Sequence, residues 1–194
     1  AGKYRSVTAL ALYLSKRTRP DLLLAVNKLC RHAQNPTVRD QKALQRLLRY
    51  VSKTRNYVLM LSAKSLDVEA YIDASFATDV DRKSTTGVVI MVGGAIVWAK
   101  SGKQGIVTKS SFEAELVALS DVASMVLWIN LFMRDLGLRT DVPIVYQDNQ
   151  STMKVAERGM SSNPVTKHID IRYLWIKEVL QQGKLLLKYK RTDE

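Results

Sequence analysis

Val68-Glu69-Ala70-Tyr71-Ile72-Asp73-Ala74-Ser75-Phe76 is the run on which the fold turns. As an extended strand it sends Val68, Ala70 and Ile72 to one face, and Tyr71, Asp73 and Ser75 to the other. An acid inside such a run is costly to bury unless something neutralises it. Two later acids have comparable settings. Glu115 lies in Ser111-Phe112-Glu113-Ala114-Glu115-Leu116-Val117-Ala118-Leu119, which reads as a buried helix, and Asp148 follows the apolar run Ile144-Val145-Tyr146. Three acids on rigid apolar elements, far apart in sequence, point to convergence on a metal ion.

Downstream of the opening strand comes the polar loop Thr78-Asp79-Val80-Asp81-Arg82-Lys83-Ser84-Thr85. Two strand-like runs, 86–92 and 95–100, then flank Gly93-Gly94, a hairpin signal. Ser110 or Ser111 can cap a helix running to about Leu136, with Gly137 just past its end. Residues 143–147 read as a strand, 149–157 as a short helix stopped near Gly159, 167–182 as a helix capped by Thr166, and 184–190 as a last strand. The order β-β-β-α-β-α-α-β predicts an α/β fold with a mixed five-stranded sheet, three antiparallel strands followed by two reached by helical crossovers.

Upstream, three helices are predicted. They cover residues 6–16 with Val7, Leu10, Ala11 and Leu14 inward, 22–32, and 37–52 with Ala43, Leu44, Leu47, Leu48 and Val51 inward. Breaks fall at Thr18-Arg19-Pro20-Asp21 and Asn35-Pro36-Thr37. Tyr57-Val58-Leu59-Met60-Leu61 is strand-like. The charge divides at the same point. Residues 1–62 carry 13 Lys/Arg against 2 Asp/Glu, while residues 63–194 carry 17 against 16, so the net charge of +12 resides almost wholly in the first third. That is the electrostatic footprint of a polyanion partner, nucleic acid first among them. The expected division is a basic helical segment, 1–62, and an α/β domain, 63–194.

The single cysteine, Cys30, excludes an internal disulfide and reads as a buried helix residue. Two histidines and one cysteine cannot build the usual zinc site, so a metal here would be held by oxygen, which favours magnesium or manganese. No apolar run of about 18 residues is evident, and no signal-peptide pattern opens the chain.

Two-metal hydrolysis of a phosphodiester needs several carboxylates around two cations, and Asp73, Glu115 and Asp148 suit it. Each acid has a second reading. Asp73 can end a strand in an Asx turn, Glu115 can pair with Lys109 or sit on an exposed face, and Asp148 can cap the following helix. Periodicity does not separate Glu113 from Glu115.

The runs Tyr71-Ile72-Asp73-Ala74-Ser75-Phe76-Ala77, Asp81-Arg82-Lys83-Ser84-Thr85-Thr86-Gly87, Ser110-Ser111-Phe112-Glu113-Ala114-Glu115, Tyr146-Gln147-Asp148-Asn149-Gln150-Ser151 and Thr166-Lys167-His168-Ile169-Asp170-Ile171-Arg172-Tyr173 resemble the ribonuclease H region of copia-type LTR retrotransposon Pol polyproteins. The first third resembles that family's segment between polymerase and ribonuclease H in Tyr4-Arg5-Ser6, Thr18-Arg19-Pro20-Asp21, Asn35-Pro36-Thr37 and Leu47-Leu48-Arg49-Tyr50. The resemblance implies a ribonuclease H-like fold and two-metal, Mg²⁺-dependent (or Mn²⁺-dependent) cutting of RNA in an RNA–DNA hybrid. It also implies a reverse transcriptase domain upstream, no membrane, and a cytoplasmic setting in virus-like particles. It places the acids on Asp73, Glu115 and Asp148, with Glu113 a neighbour. It places hybrid contacts on Ser111 and Gln150, where short polar groups would sense the 2′-hydroxyl.

The chain departs from that family twice. Phe112 stands where a polar residue is usual. A fourth acid, in an Ala-Asp pair after the final strand, has no counterpart before the chain stops at Thr192-Asp193-Glu194, and Asp193 and Glu194 are out of register for it. The expectation is a fragment cut before its last helix, with weak or no activity alone. Arg82, Lys83 and Ser84 are candidates to grip a phosphate, or else a hairpin-edge loop. His168 either touches a phosphate or belongs structurally to a first helical turn. Trp98, Trp128 and Trp175 are expected in the core. The alternatives are a non-catalytic nucleic-acid-binding scaffold on the same fold, and an integrase-like nuclease acting on duplex DNA.

Overall fold

A computed structural model describes residues 2–62, 65–77, 81–158 and 167–191. It divides into two compact units, Ala1–Met60 with Ala99–Gly102, and Leu61–Trp98 with Lys103–Glu194.

In the first unit, α1 (Gly2–Arg17) leads through a 3-10 turn (Pro20–Leu22) into α2 (Leu23–Cys30) and then α3 (Val38–Lys53). The start of α3 is fixed by a reciprocal cap. The Thr37 hydroxyl accepts from the Asp40 amide at 3.2 Å, and the Asp40 carboxylate accepts from the Thr37 amide at 2.8 Å. Tyr4, Ala11, Leu22, Val26, Leu29, Leu44 and Leu47 form the core. The buried face of α1 differs from the predicted one. It is Tyr4, Thr8, Ala11 and Ser15, and Leu10 is 70% exposed. The Tyr4 hydroxyl donates to the Leu29 carbonyl at 3.1 Å and so turns the helix. Thr8 and Ser15 are buried at little cost because each hydroxyl bonds a carbonyl of its own helix. Ala43 and Leu48 of α3, expected inward, are exposed as well.

Residues 57–61 form no strand, and Val58, Met60 and Leu61 lie exposed. β-propensity alone does not make a strand where no ladder forms.

The second unit has the expected α/β architecture with a mixed five-stranded sheet. Strands β1 (Val68–Ser75), β2 (Thr85–Val92), β3 (Ala95–Lys103), β4 (Ile144–Gln147) and β5 (Leu186–Tyr189) form one mixed sheet in the order β3-β2-β1-β4-β5. Helices α4 (Ser111–Asp135), α5 (Gln150–Arg158) and α6 (Lys167–Gln181) supply the crossovers. β1 runs antiparallel to β2 and parallel to β4, and β4 runs parallel to β5. The turn into β3 demands glycine at position 93. Its φ is +56°, and a Cβ there would lie 2.2 Å from the Ser65 carbonyl oxygen.

Val68, Ala70 and Ile72 pack against Leu119, Val122, Val126, Ile129 and Met133 of α4, as the alternation in β1 required. By length and composition α4 is apolar enough to cross a membrane, contrary to the expectation that no run qualifies. Half of that apolar stretch is buried, with Leu119, Val122, Val126, Ile129 and Met133 in the core cluster. Trp98 and Trp175 pack partly buried against this core, but Trp128 does not. It is 59% exposed and stacks on Phe132, because it sits on the side of α4 turned away from the sheet.

Candidate metal centre

The sheet register builds the site. Tyr71 of β1 lies opposite Tyr146 of the parallel β4. Two residues further along each chain, Asp73 near the carboxyl end of β1 comes close to Asp148, just past the end of β4. Open sheets generally carry their ligands there. The third acid comes from α4. Ala74, Ala114 and Ala118 pack together, all at most 6% exposed. Such small side chains let the helix backbone approach the strand closely, and Glu115 is carried in beside Asp73. One ligand oxygen from each of Asp73, Glu115 and Asp148 lies within 4.8 Å of the others.

The helix start separates the two glutamates that periodicity left open. Ser110 caps α4 by accepting from the Glu113 amide, and the Glu113 carboxylate accepts from the Lys109 amide at 2.6 Å. Glu113 therefore serves the helix terminus, while Glu115, one residue beyond Ala114, is 4% exposed and faces the other acids. Asp148 is not the cap of α5. Asn149 takes that role, accepting from the Ser151 and Thr152 amides at 3.0 and 3.1 Å.

Burial pushes the Glu115 carboxyl up to about 7. The nearby charges of Asp73 and Asp148 push the same way, while a hydrogen bond from Gln147 and the Ala74 amide oppose them. Asp73 is also raised, by burial and then by Asp148. Three carboxylates crowded like this repel one another, and an all-oxygen set relieved by a cation fits a hard divalent ion. A cavity of about 260 Å³ adjoins Asp73 and Asp148 and is lined by Tyr71, Tyr146, Lys190 and Arg191 among others. The two tyrosine rings stack at 4.9 Å, and the Lys190 ammonium lies 5.1 and 5.4 Å from their centroids.

The other expected contacts are scattered. Ser111 is exposed at the first residue of α4, and Gln150 is exposed at the first residue of α5. Arg82 is exposed, with φ +59°, and Lys83 is half-buried. Ser84 corrects the expectation of a phosphate ligand. It is fully buried, and its hydroxyl accepts from the Ala77 amide at 3.2 Å and bonds Thr108 Oγ1 at 2.9 Å, so it ties Ala77 to Thr108 from inside. His168 falls in the first turn of α6, where its side chain lies outside the described residues, as do Asp193 and Glu194.

Gln147 is a residue that the sequence reading passed over. It is 1% exposed, and its Nε2 donates to Glu115 Oε2 at 2.8 Å. The available signal was an amide at an inward position of β4, two residues after buried Val145.

No family model matches the chain. Among curated proteins, it is 34% identical over 193 residues to the retrovirus-related Pol polyprotein from transposon TNT 1-94 of Nicotiana tabacum, covering 98% of this chain and 14% of that protein. It is 34% identical over 200 residues to the Pol polyprotein from transposon RE1 of Arabidopsis thaliana, covering 99% and 13%. It is 37% identical over 133 residues to the secreted RxLR effector protein 161 of Plasmopara viticola, covering 68% of this chain and 94% of that one. The chain thus spans about a seventh of the length of the Pol polyproteins it matches. Among solved structures, LC11-RNase H1 isolated from compost aligns with a TM-score of 0.49 at 17% identity, over 66% of this chain and 86% of that one.

Proposed function

The chain belongs to the retrovirus-related Pol polyproteins of copia-type transposons, and on that footing we propose that its ribonuclease H-like domain hydrolyses the RNA strand of RNA–DNA hybrids. The observation that carries the reading is the meeting of Asp73, Glu115 and Asp148, from β1, α4 and β4, within 4.8 Å. A strand, a helix and a strand end are rigid supports, as positioned ligands require. All three acids would hold Mg²⁺, or Mn²⁺ in its place. Two such ions, when bound, supply Lewis acidity to the attacking water and to the departing oxygen of the phosphodiester.

The side chains of this protein do the rest. Asp73 and Asp148 present their carboxylates from the carboxyl ends of adjacent strands, and Glu115 closes the group from the helix side. Burial holds the Glu115 carboxyl up at about 7, so near neutral pH its charged form would be favoured by a bound cation. Ser111 and Gln150 open the two helices that carry or follow the acids, and they would meet the minor groove of the hybrid. The basic residues of 1–62 would add contacts to phosphate without sequence preference. A reverse transcriptase domain upstream in the same polyprotein would supply the hybrid, a partner consistent with the relatives' names.

The direct test is cleavage of a labelled RNA–DNA hybrid by the 194-residue chain, titrated with Mg²⁺, beside the Asp73→Asn variant. Weak cleavage by the parent, and its loss in a variant whose melting curve shows that it folds, is the expected result. Hybrid binding without cleavage at any Mg²⁺ concentration would make the domain a binding scaffold. Cutting of duplex DNA in preference to the hybrid would make it a different nuclease.

A further inference from the structure

The carboxylate of Glu115 is gripped by a neutral donor. Gln147 Nε2 reaches Oε2 at 2.8 Å, and both side chains are buried, at 1% and 4% exposure. Gln147 occupies an inward position of β4, on the same side as Val145, where an apolar residue would ordinarily fill the core. Its other amide atom, Oε1, is buried with no hydrogen-bond partner. An orphaned buried carbonyl is unfavourable, and a leucine or methionine at this position would avoid it. Core filling therefore does not account for the amide, whereas the bond to Glu115 does.

We propose that Gln147 is a positioning residue for the metal centre, locking one oxygen of Glu115 so that the carboxylate is held towards Asp73 and Asp148 before a cation arrives. The inference rests on the reading of those three acids as metal ligands. The charge of the donor matters. A lysine or arginine in this place would orient Glu115 but would also neutralise it and compete with the incoming cation. A glutamine orients the carboxylate without bringing a positive charge of its own, so nothing on it competes with a divalent ion. Position adds to this. Gln147 is the last residue of β4 and immediately precedes Asp148, so one short segment sets two of the three acids, Asp148 directly and Glu115 through the amide. Partners that hold a ligating group from behind in this way commonly contribute 10–100-fold to metal affinity.

The test is calorimetric titration of Mn²⁺ into the full 194-residue chain without nucleic acid, at pH 8, for the parent, Gln147→Met and Gln147→Asn. Methionine keeps the length and loses the donor. Asparagine keeps the amide but withdraws it by one methylene. Thermal melts in EDTA show which variants fold. The expected result is about tenfold or more weaker Mn²⁺ binding in the folded variants. A folded variant that binds Mn²⁺ within about twofold of the parent overturns the proposal, whatever its melting temperature, since a purely structural glutamine would behave that way. Unfolding of both variants also overturns it, because the bond would then be a requirement of the fold. A parent that takes up no Mn²⁺ at all is a separate outcome, and it removes the metal reading of the three acids together with this one.

Discussion

Replacing Glu115 by Gln should stabilise the metal-free chain at pH 8, and the size of the effect follows from the site. Burial, followed by the charges of Asp73 and Asp148, holds the Glu115 carboxyl up at about 7, against 4.5 ordinarily. The folded chain therefore binds that proton more tightly than the unfolded one. The stability this represents is fully present below about pH 4.5, is lost as the pH rises towards 7, and does not return above it. The gap corresponds to about 3 kcal/mol. At 2–4 °C per kcal/mol for a chain of this size, the melting temperature in EDTA should fall by roughly 10 °C between pH 4.5 and pH 8 through this group. Glutamine has nearly the same shape, can still accept from Gln147, and never ionises. Asp73 is raised as well, but it is present in both proteins, so the difference between them isolates Glu115. The assay is urea or thermal unfolding from pH 4.5 to 8 in EDTA, repeated with saturating Mg²⁺. Without metal the variant should be the more stable protein at pH 8, and with Mg²⁺ the parent should recover most of the deficit. A variant that shows the parent's pH slope, or that is the weaker protein at pH 8 in EDTA, refutes the account of Glu115 as a buried acid awaiting a cation.

Three further substitutions test the scaffold. Arg19 is 6% exposed, donates to both Asp21 oxygens and to the carbonyl and hydroxyl of Thr54, and lies 5.7 and 5.6 Å from the ring centroids of Tyr50 and Tyr57. Arg19→Met should cost about 2 kcal/mol in denaturant melts, discounted because Asp21 keeps some access to water. It should also release Asp21, whose carboxyl is held below its ordinary range chiefly by this arginine, to titrate higher by NMR. Gly93→Ala must put a Cβ 2.2 Å from the Ser65 carbonyl at positive φ, so it should cost about 2 kcal/mol or more. Gly94→Ala, which meets no heavy atom within 4 Å, should cost only the strain of its own φ.

Much of the α/β unit was legible because its signals are local. Alternation over Val68–Ser75 separated the face that packs on α4 from the face that carries Asp73, and the structure keeps that division. Ser110 and Gly137 bracketed α4 because capping and left-handed termination are properties of single positions. Helical periodicity was a poorer guide where faces compete. In α1, Leu10 lost its place to Thr8 and Ser15 because the helix is turned by Tyr4 reaching Leu29, a partner 25 residues away. Trp128 read as core by composition, yet α4 is wide enough to cover the sheet with one side and leave the other in solvent.

By itself the sequence determined the succession of elements, the side of each strand that is apolar, and the short list of acids that could share an ion, since all of these depend on residues close together in the chain. Only the tertiary structure decided that Asp73 and Asp148 come close, that Glu115 joins them while Glu113 closes a helix end, that Ser84 turns inward, and that Gln147 grips Glu115. Those outcomes depend on the register between β1 and β4 and on how closely Ala74, Ala114 and Ala118 let a helix approach a strand. Register and approach are set by the simultaneous packing of segments far apart in sequence, a balance of buried surface that no single stretch of the chain contains.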